Sequence, residues 1–147
     1  MLEQLIEDGV SKTGIVGGNI YNVIALNMPT IADSTTYYLG SKAIIPITSA
    51  LGMKSYILAA GTITKATIEW DAITAGTTED ISIYIRLNNT TDYLIATIGN
   101  TNAQKIFSNT ALNIPVVVSD FFEIKIVTPA WVTNPVNIFL GGQVYVS

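Results

Sequence analysis

Apolar and polar side chains alternate along most of the chain beyond residue 35. In ISIYIRLN, Ile81 and the odd positions after it are apolar, while Tyr84 and the other even positions lie opposite, as a half-buried β-strand requires. The same period of two runs through TITKATIEWD, FFEIKIV and the closing VNIFLGGQVYVS. The stretch NNTTD indicates a turn, because Asn and Asp tolerate left-handed backbone. The pattern predicts a hairpin there and antiparallel strands elsewhere.

The rest of the chain divides into short strands and an irregular front segment. Only LEQLIED has helical spacing, with Leu2, Leu5 and Ile6 at positions i, i+3 and i+4. Residues 9–34 are Gly-rich and weakly periodic, which predicts an extended, docked segment. We therefore predict an all-β protein: an antiparallel jelly-roll sandwich preceded by an N-terminal arm with a short helix. The arm covers residues 1–34 and the sandwich residues 35–147. Shorter strands are predicted at residues 37–39, 44–47, 55–58, 105–107 and 114–118.

The scarcity of charge changes the picture of the surface. Charged residues make up 12% of the 147 positions, against about 25% in an ordinary soluble domain. The basic residues are scattered singly, unlike the basic patch of a nucleic-acid-binding protein. The longest apolar stretch is interrupted by Pro46 and Lys54, and falls short of the roughly 20 residues of a membrane-spanning helix. We expect neither nucleic acid nor a membrane as a partner, and expect surface to be hidden in an assembly.

The absence of two residue types limits the chemistry that the chain can perform. The chain has no cysteine and no histidine, which removes the commonest nucleophile, general base and metal ligands. Glu69 with Asp71, or Glu79 with Asp80, has the residue types of a glycosidase pair, but acids next to turns are ordinary. The candidate calcium ligands are the acids of TTED, Asp92 and Asp120. No Asp-rich loop of the EF-hand kind accompanies them, so we predict turn roles, no catalytic residue, no metal and no cofactor.

The last strand carries large side chains on both of its faces. Its even positions would face the opposite sheet, which leaves Phe139 and Tyr145 pointing outward. Gly141 and Gly142 indicate a bend or the close approach of another backbone. Because an aromatic side chain buries about 150–250 Å², we predict a subunit contact at Phe139 and Tyr145, together with the outward-facing Tyr84. The alternative is that a loop or the N-terminal arm covers them.

Longer stretches of the chain resemble a known group of proteins. AGTITKATIEW, ISIYIRLNNTTDYLIATIGNT, FSNTALNIPVVVSDFFEIKIVTPAWVTNP and GGQVYVS are similar to the C-terminal domains of tailed-bacteriophage fibre and decoration proteins. The resemblance extends over roughly residues 37–147. It implies a trimeric jelly roll like the tumour-necrosis-factor and C1q heads, and a non-enzymatic virion component. Such fibres usually carry a long shaft, whereas about thirty residues precede the domain here, which favours a compact head decoration or short head fibre.

Three functional classes remain open at this stage. The first is a homotrimer that decorates a virion assembled in the bacterial cytoplasm, with capsid, portal or tail proteins as partners. The second is a tail-fibre tip that binds host-surface glycans. The third is a C1q-like host protein, which the absence of cysteine, secretory signal and collagen-like repeat disfavours. For the first class, the helix with Leu2, Leu5 and Ile6 is predicted to attach the trimer to the particle, since it is too short to persist alone.

The loop TPAWVTNP is the candidate receptor site of the second class. Pro129 and Pro135 stiffen its backbone on either side of Trp131. A Trp ring can stack on a sugar while neighbours such as Thr133 and Asn134 bind its hydroxyl groups. The alternative, which we favour, is that Trp131 packs under the sandwich or against a neighbouring subunit.

Overall fold

The computed structural model describes residues 18–40, 53–74, 80–99 and 105–147, and these residues form ten strands and no helix. The all-β prediction is therefore confirmed. The predicted helix and the predicted strand at residues 44–47 lie outside the described residues. The strands are β1 (Asn19–Thr30), β2 (Thr36–Leu39), β3 (Ser55–Tyr56), β4 (Gly61–Thr74), β5 (Ile81–Leu87), β6 (Thr91–Ile98), β7 (Lys105–Asn109), β8 (Ile114–Val116), β9 (Phe121–Val127) and β10 (Val136–Val146).

The strands form two antiparallel sheets that pack together as a jelly-roll sandwich. Sheet A has the order β1-β10-β4-β7, with β8 also paired to β4. Sheet B has the order β2-β9-β5-β6, with β3 also paired to β9. Successive strands of the chain therefore pass repeatedly from one sheet to the other, as in the double Greek key of a jelly roll. The predicted fold class is confirmed.

The core lies between the two sheets and is built from the alternating positions that the sequence indicates. Ile83 and Ile85 of β5 and Phe122 of β9 are fully buried, and Trp70 of β4 is nearly so. The Tyr21 ring of β1 meets Phe122 edge to face, with the ring centroids 5.6 Å apart. Burial of each such side chain contributes about 1.5–3 kcal/mol, so this interior is the main source of stability.

The hairpin between β5 and β6 confirms the turn predicted at NNTTD. Asn88 and Asn89 have φ angles of 51° and 59°, which is the left-handed backbone that Asn tolerates. The Thr90 amide donates to the Leu87 carbonyl at 2.9 Å and closes the turn. Local turn chemistry thus fixes the register in which β5 pairs with β6.

The front segment is more regular than its sequence suggests. β1 falls within the predicted arm, yet it pairs with β10 along its length and is a full strand of sheet A. The pairing register shifts between Ala25 and Met28, so a bulge interrupts the period of two. An expected docked segment is therefore a sheet strand, and its irregular pattern reflects the bulge and a partner strand distant in sequence.

Candidate self-association surface

β10 lies near the middle of sheet A, between β1 and β4, and its odd positions face away from the core. Ile138, Leu140 and Val144 are buried, whereas Phe139 remains 42% exposed. The outward direction predicted for Phe139 is therefore confirmed. We name the outward side of β1, β10, β4 and β7 the sheet A face.

The sheet A face carries several large apolar side chains that stay exposed. Each of its four strands contributes one of them. They are Ile20 of β1, Ile73 of β4, Ile106 of β7 and Phe139 of β10. Single exposed apolar residues are normal on a protein surface, but several on one sheet face are typical of an interaction site.

A groove of about 420 Å³ opens on the sheet A face. Gly141 forms part of its floor, because a side chain there would meet no described atom within 4 Å. The pairing register places Glu69 of β4 directly beside Gly141, and Ile106 of β7 beside Glu69. The rest of the lining consists of Val23 and Gly142 together with three polar residues, Asn22, Thr67 and Gln143.

The two adjacent glycines of β10 have different surroundings. A Cβ atom on Gly142 would lie 2.7 Å from Ile68 Cδ1 and 2.9 Å from the Thr67 carbonyl oxygen. The close approach of another backbone that the sequence indicates is thus confirmed at Gly142. Gly141 instead leaves a hole on the sheet A face, and this hole gives the face a shape that a partner side chain can fill.

Tyr145 lies on the sheet A face but is partly covered by its own chain. Its ring packs against Gly18, where any side chain would overlap the ring. Tyr145 pairs with Ile20 of β1 on one side and Lys65 of β4 on the other. Part of the ring is therefore used within the chain, and Phe139 is the more accessible of the two predicted contact residues.

Tyr84, the third predicted contact residue, is not brought together with Phe139 and Tyr145. It lies on β5 in sheet B, and its neighbours Ile83 and Ile85 point into the core. Tyr84 therefore faces outward on the opposite side of the sandwich, where the Lys125 ammonium lies 5.6 Å from its ring centroid. The three residues predicted from sequence occupy two surfaces.

The candidate receptor loop is largely occupied with internal contacts. Trp131 is only 5% exposed and belongs to the hydrophobic core, so its ring does not form an open platform for a sugar. The Asn134 side-chain amide donates to the Ile31 carbonyl at 2.9 Å. Thr133 is exposed. The interpretation that Trp131 packs under the sandwich agrees with this burial. The predicted attachment residues Leu2, Leu5 and Ile6 lie outside the described residues.

Glu79 lies outside the described residues. The other acids considered for chemistry have structural partners or lie on the surface. Asp120 accepts hydrogen bonds from the Val117 amide and the Asn88 side chain, which lower its pKa from the ordinary value. Asp92 pairs with Arg86 and Lys125. Glu69 and Asp71 share the sheet A face. Among the described residues, no three acidic, His or Cys side chains converge in a way that would hold a metal ion.

Sequence analysis missed a buried carboxyl group on sheet B. The alternation in FFEIKIV indicates that Glu123 faces outward, yet its side chain is fully buried. The register places Arg86 of β5 between Glu123 on β9 and Asp92 on β6. Arg86 binds Asp92 at 3.0 Å, but its Nε lies 3.9 Å from Glu123 Oε1. Neither Glu123 oxygen has a hydrogen-bond partner among the described residues.

This burial changes the acidity of Glu123. It raises the pKa of Glu123 from 4.5 to about 7, against the opposing effect of Arg86 and Lys54, while Asp92 raises it further. The physical cause is that a carboxylate loses its hydration when buried, and no hydrogen bond from the described residues replaces that hydration. A period of two assigns a residue to a face, but it does not show whether that face is covered.

Comparisons with known proteins identify no family for this chain. No protein-family model matches it, and no curated protein matches it either. In the part of the chain that the structure describes, no helix is long and apolar enough to cross a bilayer.

Proposed function

We propose that this protein is a non-enzymatic structural protein that assembles with copies of itself through the sheet A face. The observation that carries the proposal is the groove at Gly141, together with the exposed side chains of Phe139 and Ile106 beside it. A shaped depression with an apolar border and polar walls has the composition of a protein interface. The low proportion of charged residues supports the same reading.

The size of the contact sets a requirement on this surface. A stable interface buries about 800 Å² on each partner. The exposed apolar side chains of the sheet A face do not reach this area alone, so the polar residues around the groove must also be covered. Asn22 and Gln143 already bind each other at 3.3 Å, and Thr67 binds Ser108 at 3.0 Å. These pairs reduce the cost of excluding water from the face.

The biological setting of the proposal comes from the resemblance to tailed-bacteriophage fibre and decoration proteins. We propose a homotrimer on the virion surface, as a head decoration or a short head fibre. The jelly-roll sandwich is the fold that this resemblance implies, although many unrelated proteins share the fold. The proposal assigns capsid, portal or tail proteins as further partners.

Replacing Gly141 with Ile tests the role of the groove. A Cβ atom at Gly141 would meet none of the described atoms within 4 Å, and Gly141 has no positive φ, so the sandwich should keep its stability. Ile also favours strand structure, whereas Gly in a strand costs roughly 0.5–1 kcal/mol relative to Ala. The filled groove should shift the full-length protein from trimer to monomer in multi-angle light scattering.

Gly99 offers a matched control for an added surface Ile. It is exposed at the end of β6, and a side chain there would make only an ordinary contact with Asp80 at 3.5 Å. Gly99→Ile should leave the protein assembled. A monomeric wild-type protein, or a Gly141→Ile variant that assembles like the wild type, would exclude the sheet A face as the contact.

A further inference from the structure

A second apolar surface lies where the chain crosses between the two sheets. One segment leads from β3 in sheet B to β4 in sheet A, and the other leads from β8 in sheet A to β9 in sheet B. Four apolar side chains in these segments are exposed. We name them the crossover patch: Tyr56, Leu58, Val117 and Val118.

Backbone hydrogen bonds hold the two crossing segments side by side. The Ile57 amide donates to the Asp120 carbonyl at 2.7 Å, and the Ser119 amide donates to the Ile57 carbonyl at 3.3 Å. The Tyr21 hydroxyl accepts a hydrogen bond from the Leu58 amide at 2.9 Å, which fixes the Leu58 backbone on β1. Leu58 is therefore a projecting apolar side chain on a fixed backbone, with 76% of its surface exposed.

Ring symmetry requires two different surfaces on each copy. In a closed trimer, one surface of each subunit contacts a different surface of the next subunit, whereas a two-fold dimer pairs one surface with itself. The sheet A face and the crossover patch are two separate sets of exposed apolar side chains. One has a hole at Gly141 and the other has a projecting side chain at Leu58.

Opposite charges lie beside the two surfaces, within a mixed pattern that also places Asp120 in the crossing segments and Lys65 on the sheet A face. Lys54 lies next to the crossover patch, with its ammonium 4.2 Å from the Phe121 ring centroid. The Phe121 ring in turn contacts Tyr56 at 5.7 Å. The groove on the sheet A face is bordered by Glu69, and Asp71 follows on the same side of β4. Opposite charges on two surfaces steer their association.

We infer that the crossover patch of one copy binds the sheet A face of the next copy, with Leu58 seated in the groove above Gly141. This inference rests on the proposed function, because it names the partner of the surface through which the protein assembles. The two surfaces then have different roles. A copy with a defective groove should therefore still bind, through its crossover patch, the intact groove of a copy whose crossover patch is defective.

Leu58→Glu tests the inference in the full-length protein. The exposed position should tolerate Glu without loss of the fold, while the new carboxylate would face Glu69 and the apolar floor of the groove. The variant should be monomeric in multi-angle light scattering. Val132→Glu is the matched control, because Val132 is 78% exposed and lies outside both surfaces. It should assemble like the wild type.

Mixing the two defective variants separates a two-surface contact from a self-paired one. Gly141→Ile retains an intact crossover patch and Leu58→Glu retains an intact groove, so an equimolar mixture should form a one-to-one heterodimer and stop there. The mixture should be measured at about 0.1 mM, because a single contact lacks the avidity of a closed ring.

The outcomes distinguish this inference from the proposed function. A mixture that doubles its mass relative to either variant alone supports the inference. A Leu58→Glu variant that stays trimeric overturns it, while the proposed function stands if Gly141→Ile is monomeric. Two monomeric variants that do not pair on mixing also overturn it. A Gly141→Ile variant that stays trimeric overturns both.

Discussion

Replacing Glu123 with Gln should remove a pH dependence of stability. The pKa of Glu123 is about 7 in the folded protein, against 4.5 for the ordinary carboxyl group. Below pH 4.5 the group is protonated in both states, and its full contribution to stability is present there. As the pH rises towards 7, the unfolded chain releases the proton first, so the free energy of unfolding falls. Above about pH 7 both states are ionised and the loss is complete.

The size of the effect follows from the two pKa values. The interval from 4.5 to about 7 corresponds to about 3–4 kcal/mol, at about 1.4 kcal/mol for each pH unit. A small domain has a total free energy of unfolding of about 5–15 kcal/mol, so this is a substantial part. Gln imitates the protonated carboxyl in shape and charge. Glu123→Gln should therefore be more stable than the wild type at about pH 8, and similar to it at about pH 4.

Urea denaturation at about pH 5 and about pH 8 measures the effect. Assembly would make the apparent stability depend on protein concentration, so both proteins should carry Gly141→Ile. Glu69→Gln is the control, because Glu69 is an exposed glutamate on the sheet A face. Asp120 does not affect this comparison. Because its pKa is lowered, it reduces the stability only as the pH falls below its ordinary value of 3.8, outside the range from about pH 5 to about pH 8.

Two results would refute the reasoning about Glu123. One is a wild-type free energy of unfolding that does not fall between pH 5 and pH 8, within the interval set by the pKa of about 7. The other is a fall of the same size in the Glu123→Gln variant, which would assign the pH dependence to another group. A fall in the Glu69→Gln control is expected, since that variant retains Glu123.

Two further substitutions test the interior. Gly142→Ala should lower the free energy of unfolding by about 1–3 kcal/mol, because its Cβ would lie 2.7 Å from Ile68 Cδ1. Urea denaturation of Gly141→Ile with and without Gly142→Ala measures the difference, and equal stability of the two proteins would contradict it. Trp131→Ala should lower the free energy of unfolding by about 3–5 kcal/mol, because the Trp131 ring is buried in the core. Thermal unfolding measures the loss of stability. An unchanged melting temperature together with loss of binding to host cells would instead support the interpretation of this loop as a receptor site.

The direction of side chains on the long strands could be predicted because it depends on local alternation. Ile83, Trp70 and Ile138 are buried at the positions that a period of two indicates. The turn at Asn88 and Asn89 was predictable for a similar reason, since Asn tolerates left-handed backbone without help from distant residues. Where one face of a strand is buried, its register is set strongly, and the sequence shows it clearly.

Features that depend on distant parts of the chain were not predictable in this way. β1 is a sheet strand because β10, more than a hundred residues later, supplies its hydrogen bonds. Its bulge between Ala25 and Met28 also removes the alternation that would have indicated a strand. Glu123 belongs to the outward positions of β9, and only the folded chain shows that this position is buried.

Gly141 and Gly142 show why the candidate site required the fold. Both are glycines in one strand, and the sequence gives no reason to treat them differently. In the sandwich, Gly142 is in close contact with Ile68 and the Thr67 backbone, whereas a Cβ atom on Gly141 would meet no described atom within 4 Å. A side chain at Gly142 therefore changes the packing of the subunit, and a side chain at Gly141 changes only what the sheet A face can bind. Substitutions at these neighbouring positions separate folding from assembly within a single strand.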